Sequence, residues 1–122
     1  MTLPTQYPLE IYKGDTFRMQ ISAWQDDAET IPLDLAGATA RAEIRDKAGG
    51  KLLATMDVTL TTPNVIDMEL HASVTAALAP GKRAWDLEVT LANGDTRTVL
   101  AGPAQVVADV TIPAAVGLRI AS

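Results

Sequence analysis

Apolar and polar positions alternate along Phe17–Trp24: Phe17, Met19, Ile21 and Ala23 face Arg18, Gln20, Ser22 and Trp24. A period of two marks a strand with one buried face. The pattern returns at Ala38–Arg45, with Ala38, Ala40, Ala42 and Ile44 inward, and at Val65–Leu70, with Ile66, Met68 and Leu70 inward. It is cleanest at Lys82–Leu91, where Trp85, Leu87, Val89 and Leu91 share a face. Alanine favours helix, so Ala38–Arg45 has a competing reading; its strict alternation with Thr39, Arg41, Glu43 and Arg45 decides for strand. Lys51–Thr61 reads as a returning strand bent near Asp57. Thr96–Ala101 and Gln105–Ile112 read as two more strands, separated by Gly102-Pro103.

Turn chemistry divides these runs. Gly14-Asp15 precedes the first, and Gln25–Glu29 is a polar hairpin loop. Ile31–Leu35 is a short extended stretch, kept from a central ladder by Pro32. Two glycines close the Asp46–Gly50 turn, and Thr62-Pro63-Asn64 breaks the chain before Val65. Asn93-Gly94 between alternating runs predicts a two-residue type I′ hairpin, which needs positive φ at both centres. One helical piece stands out, near residues 73–79, capped by Ser73 and ended by Pro80-Gly81. The result is seven or eight short strands with turn signals every ~8–12 residues, an antiparallel sandwich or barrel. The chain divides into an N-terminal arm (1–8), one β domain (9–112) and a C-terminal arm (113–122).

At 122 residues the chain is long enough for one core without staples. It has no cysteine, hence no disulfide, thiolate metal site or thiol nucleophile. The net charge is −5 and the ten basic residues are scattered, which argues against a nucleic-acid partner. Nothing in the sequence reads as a secretory signal or a bilayer span, so no membrane partner is expected.

Candidate chemistry is thin. His71 is the single histidine, and a metal site wants several ligands at coherent spacing; a solvated side chain is expected. Ser73 lies two residues on, without the strand–turn–helix elbow that would make it a nucleophile. Asp26, Asp27 and Glu29 form an acidic loop without a calcium-site pattern. Asp86 and Glu88 share a strand face and read as its solvated side rather than an acid/base pair. Gly14 and Gly37 are turn glycines, since neither opens a helix as a phosphate loop would. Hence no catalytic, cofactor-binding or metal residue is expected. Trp85 reads as core. Trp24 ends its strand in the polar register and is a candidate interface anchor. In the C-terminal arm Val116, Leu118 and Ile120 alternate around Arg119, a pattern able to add as a strand to a partner's sheet edge.

Tyr12-Lys13-Gly14-Asp15-Thr16-Phe17, Ile31-Pro32-Leu33-Asp34-Leu35-Ala36-Gly37-Ala38-Thr39-Ala40-Arg41, Leu78-Ala79-Pro80-Gly81 and Trp85-Asp86-Leu87-Glu88-Val89 carry a family likeness in their order and spacing. Over roughly Leu9–Thr111 the chain resembles the N-terminal domain of bacteriophage baseplate upper proteins and similar small tail-associated proteins. The resemblance implies an immunoglobulin-like antiparallel β-sandwich and a non-enzymatic virion structural protein. Its partners would be other virion proteins (tail, baseplate or fibre subunits), met in multiple copies in a symmetric assembly built in the bacterial host cytoplasm. A capsid decoration or head-fibre-base protein of the same fold is the near alternative. A carbohydrate-binding module for host glycans is the alternative of another class.

Overall fold

The computed structural model describes residues 5–25 and 28–108. Its strands are β1 (Thr5–Gln6), β2 (Leu9–Tyr12), β3 (Phe17–Ser22), β4 (Thr39–Arg45), β5 (Leu52–Thr55), β6 (Asp57–Thr61), β7 (Val65–Leu70), β8 (Gly81–Thr90) and β9 (Thr96–Val107); a short helix, α1 (Ala72–Ala77), lies between β7 and β8. One sheet runs β1-β9-β8-β4-β5, with β2 also against β9; the other is β3-β7-β6. This division of strands between two layers is that of an immunoglobulin-like sandwich. Alternation explains the core. Ile44, Trp85, Leu87, Val89, Leu100 and Val106 are buried from one layer, and Ile66, Met68 and Leu70 from the other.

The expected strand at Lys51–Thr61 is two strands in two different sheets: β5 pairs with β4, and β6 with β7. The crossing point is Met56, buried, whose N–H donates to Ala42 C=O at 2.9 Å. The bend expected near Asp57 is this change of sheet. Gly102-Pro103 does not end a strand, because β9 runs through it. The extended stretch at Ile31–Leu35 reduces to an isolated bridge between Trp24 and Pro32, with Leu33 and Leu35 buried beneath. At Asn93-Gly94 only the glycine has positive φ (93°). Gly94 N–H donates to Leu91 C=O (2.9 Å) and Leu91 N–H to Asp95 C=O (2.8 Å), so the loop is a turn followed by a glycine bulge rather than type I′.

The segment read as an N-terminal arm is part of the sandwich from Thr5 onward. Thr5–Gln6 and Leu9–Tyr12 lie parallel to β9, and Leu9 and Ile11 are buried. Tyr7 N–H donates to Ala101 C=O at 2.9 Å. In a parallel ladder residue 103 would then donate to Tyr7 C=O, but Pro103 has no N–H. The Trp85 indole Nε1–H replaces it, reaching Tyr7 C=O at 2.7 Å. It passes β9 at Gly102, its cross-strand partner, where no side chain stands in the way.

α1 locks the turn before β3. Ser73 is not its cap: the N-cap is His71, which makes no side-chain capping bond. Lys13 Nζ donates to the last carbonyls, Ala76 (2.7 Å) and Leu78 (2.6 Å). The fully buried Thr75 hydroxyl accepts from Gly14 N–H (3.0 Å) and donates to Asp15 C=O (2.8 Å). Gly14 has φ +84°, the left-handed conformation such a turn requires. Thr75→Val keeps the shape but removes both bonds, and is expected to lower unfolding free energy by about 2 kcal/mol in urea titration.

Candidate functional site

Three surfaces merit a functional reading: a sheet edge and the two outer faces. The edge belongs to β3, which among the described residues pairs with β7 alone. Ala23 N–H donates to Asn64 C=O (2.8 Å), continuing the β3–β7 ladder. Odd-numbered residues of β3 therefore turn their amides to β7, and Arg18, Gln20 and Ser22 turn theirs outward. Phe17, Met19 and Ile21 point inward yet stay half-buried, whereas their β7 neighbours Ile66, Met68 and Leu70 are buried. Of the other edges, β5 is four residues long, the β1–β2 edge is interrupted at Tyr7-Pro8, and β6, five residues, is the second edge of the smaller sheet. β3 is six residues without proline or bulge, the kind of edge that invites another strand.

The outer face of the larger sheet carries an open groove of about 640 Å³. Ala84, Ala101 and Pro103 line it together with the charged Arg45, Lys82 and Asp86. Glu43 and Asp86 lie directly opposite across β4 and β8. Arg41 and Arg45 both bridge to Glu43, at 2.5 and 2.8 Å. The Arg45 hydrogen bond is the main cause that holds Glu43 below the usual carboxylate range. Asp86 is pushed up, first by partial burial and then by the charges of Glu43 and Glu88. An acid held above its unfolded value costs stability once ionised; the cost appears as pH rises through the unfolded and then the folded value. Asp86→Asn is therefore expected to gain about 0.5 kcal/mol at pH 7, the scale of one cross-strand pair. Melting curves across pH should show the gain vanish in acid.

The outer face of the smaller sheet brings three metal-ligating side chains together: Asp57, Glu69 and His71. The sequence alone left His71 a solvated side chain. The β6–β7 register sets Asp57 opposite Glu69, and His71 follows two residues later on the same face. Ser73 sits exposed within α1, while the His71 ring lies against Asp57 and Glu69.

Of the candidate contact residues, Trp24 is half-buried at its bridge to Pro32. Val116, Leu118, Arg119 and Ile120 lie outside the described residues, as do Asp26 and Asp27. Trp85 is core, as expected. Among the described residues the large exposed apolar groups are Tyr7, Tyr12, Ile31 and Leu52, none of them a contact expected from the sequence. Alternation ranks a strand's two faces but not its edge, so the half-covered row of β3 carried no signal either.

The family comparison matches residues 4–107 to the LtfC-like β-sandwich domain, most of the chain. The chain belongs to the LtfC-like β-sandwich family. The match begins at the N-terminal segment that pairs with β9, so that pairing lies inside the LtfC-like domain. No curated protein sequence matches the chain. Among solved structures, the fibronectin(III)-like modules of Clostridium thermocellum CbhA align at 11% identity and TM-score 0.44, over 88% of this chain and 93% of that one. A family 123 glycoside hydrolase from Clostridium perfringens aligns at 10% identity and TM-score 0.42, over 87% of this LtfC-like chain and 23% of the hydrolase.

Proposed function

We propose that this LtfC-like domain is a non-enzymatic virion structural protein that joins or anchors phage tail, baseplate or fibre components. Its family supports the reading, since LtfC is a phage tail fibre-associated protein; so does the resemblance of its motifs to those of baseplate upper proteins. The observation that carries it is the edge of β3, with outward amides at Arg18, Gln20 and Ser22 beside the half-covered Phe17, Met19 and Ile21. Such an edge binds by accepting a strand: main-chain bonds give affinity, and alternate side chains fill the apolar margin. The domain works in several copies, assembled in the host cytoplasm. The alternation of Val116, Leu118 and Ile120 around Arg119 in the sequence is a pattern able to add as a strand to a neighbour's edge, and Trp24 would add a contact. A stable joint of this kind buries about 1,600 Å².

Gln20→Pro tests the edge. It removes one outward N–H while leaving the β7 ladder intact. The variant is expected to fold with nearly unchanged circular dichroism and to enter particles about tenfold less, the effect of some 1.4 kcal/mol at a joint. Wild-type incorporation would remove β3 from the proposal. Localising the chain in particle density separates a tail position from capsid decoration by the same fold.

A further inference from the structure

We propose that Asp57, Glu69 and His71 form a surface site for a divalent transition-metal cation of the zinc class. The first argument is electrostatic. Asp57 and Glu69 are directly opposed on a solvent-facing sheet surface, and like charges in that relation destabilise a sheet. Arg18, opposite Glu69 on the other flank, answers only one side of the pair.

The second argument is geometric. Glu69 divides its oxygens: Oε2 accepts from Arg18 Nε at 2.5 Å, and Oε1 lies 3.9 Å from His71 Nε2. Asp57 Oδ2 lies 3.2 Å from the same nitrogen. All three ligand atoms fall within 4.8 Å of one another. Zinc bonds of about 2.0–2.2 Å place tetrahedral ligand atoms roughly 3.4 Å apart, so small side-chain rotations complete the triad.

The third argument is support. His71 is the N-cap of α1, and its carbonyl accepts from Val74 N–H (2.9 Å) and Thr75 N–H (3.1 Å). Those bonds fix its backbone, while the ring makes no capping bond and turns its Nε2 to Asp57 Oδ2. Arg18 orients Glu69 from behind, as outer partners orient ligating carboxylates elsewhere. One imidazole with two carboxylates suits zinc and its neighbours. Magnesium and calcium prefer oxygen ligands throughout. The remaining coordination position is open to water or to a side chain of a neighbouring subunit.

Calorimetric titration of the full chain with zinc chloride at pH 7, and separately with magnesium chloride, tests the site. One-to-one zinc binding is expected, with no comparable magnesium binding. His71→Ala and Asp57→Asn, both exposed positions, are each expected to weaken zinc at least about tenfold while leaving circular dichroism unchanged. No zinc binding, equal affinity in His71→Ala, or magnesium bound as tightly as zinc would each overturn the proposal.

Discussion

A chain ending at Ile112 is expected to fold as the full chain does and to fail to enter particles. The fold half of that expectation follows from the core. Every buried apolar residue of the described sandwich lies between Leu9 and Val106, and the N-terminal segment already covers the outer side of β9. Removing residues 113–122 takes no described contact from that core, so thermal unfolding should shift by no more than about 1–2 °C, the scale of a surface change. The assembly half follows from the proposed joint. The truncated chain would lack Val116, Leu118 and Ile120, which the proposal has pair with a neighbour's edge, and the β3 edge of each copy would stay without its complement. Particles from a strain carrying only the truncated chain, blotted against the wild type, measure this. Normal incorporation of the truncated chain would refute a joining role for the C-terminal arm, whatever became of the Gln20→Pro variant.

Gly102→Val carries the largest expected loss of stability. A Cβ placed on Gly102 would stand 2.8 Å from the Tyr7 carbonyl oxygen and 3.2 Å from Tyr7 C and N, all backbone atoms that cannot rotate aside. The N-terminal strand must then leave β9. It loses the Tyr7–Ala101 bond and the Trp85 indole bond, and it uncovers Leu9 and Ile11. Overpacking costs about 1–3 kcal/mol, and orphaned polar groups cost a similar amount. A loss of about 3 kcal/mol is expected, or some 10 °C or more in melting temperature. Limited proteolysis should cut the variant near Tyr7 before the wild type. An unchanged melting temperature would mean that the N-terminal strand contributes little to the fold.

The sequence made most of the individual strands legible and little of their neighbourhood. β3, β4 and β7 each carry an unbroken period of two, and β8 does from Trp85 onward, because each has one face on the core and one in solvent. β1 is two residues long and shows no period; β2 alternates, with Leu9 and Ile11 buried, but only over four residues set off by Tyr7-Pro8, and their partner β9 lies nearly a hundred residues away. Gly102-Pro103 looks like an interruption because glycine and proline usually are one. Here the glycine makes room for the Tyr7 backbone, and Trp85 supplies the bond that Pro103 cannot. Ser73 is the commoner capping type, but the extended N-cap backbone falls two residues earlier, at His71.

The candidate sites were less legible for a related reason. Asp57, Glu69 and His71 become neighbours only through the β6–β7 register, which no spacing along the chain reveals. Thr75 reads as an ordinary helical residue until the Gly14-Asp15 turn is folded onto it. The exposed edge of β3 depends on where the N-terminal segment goes: paired with β9, it leaves β3 without a second neighbour among the described residues.

Mass spectrometry of purified virions tests the account most directly. The account predicts peptides of this chain in intact particles, at several copies per particle and in constant ratio to the tail proteins. Complete, infectious particles that lack the chain would contradict it.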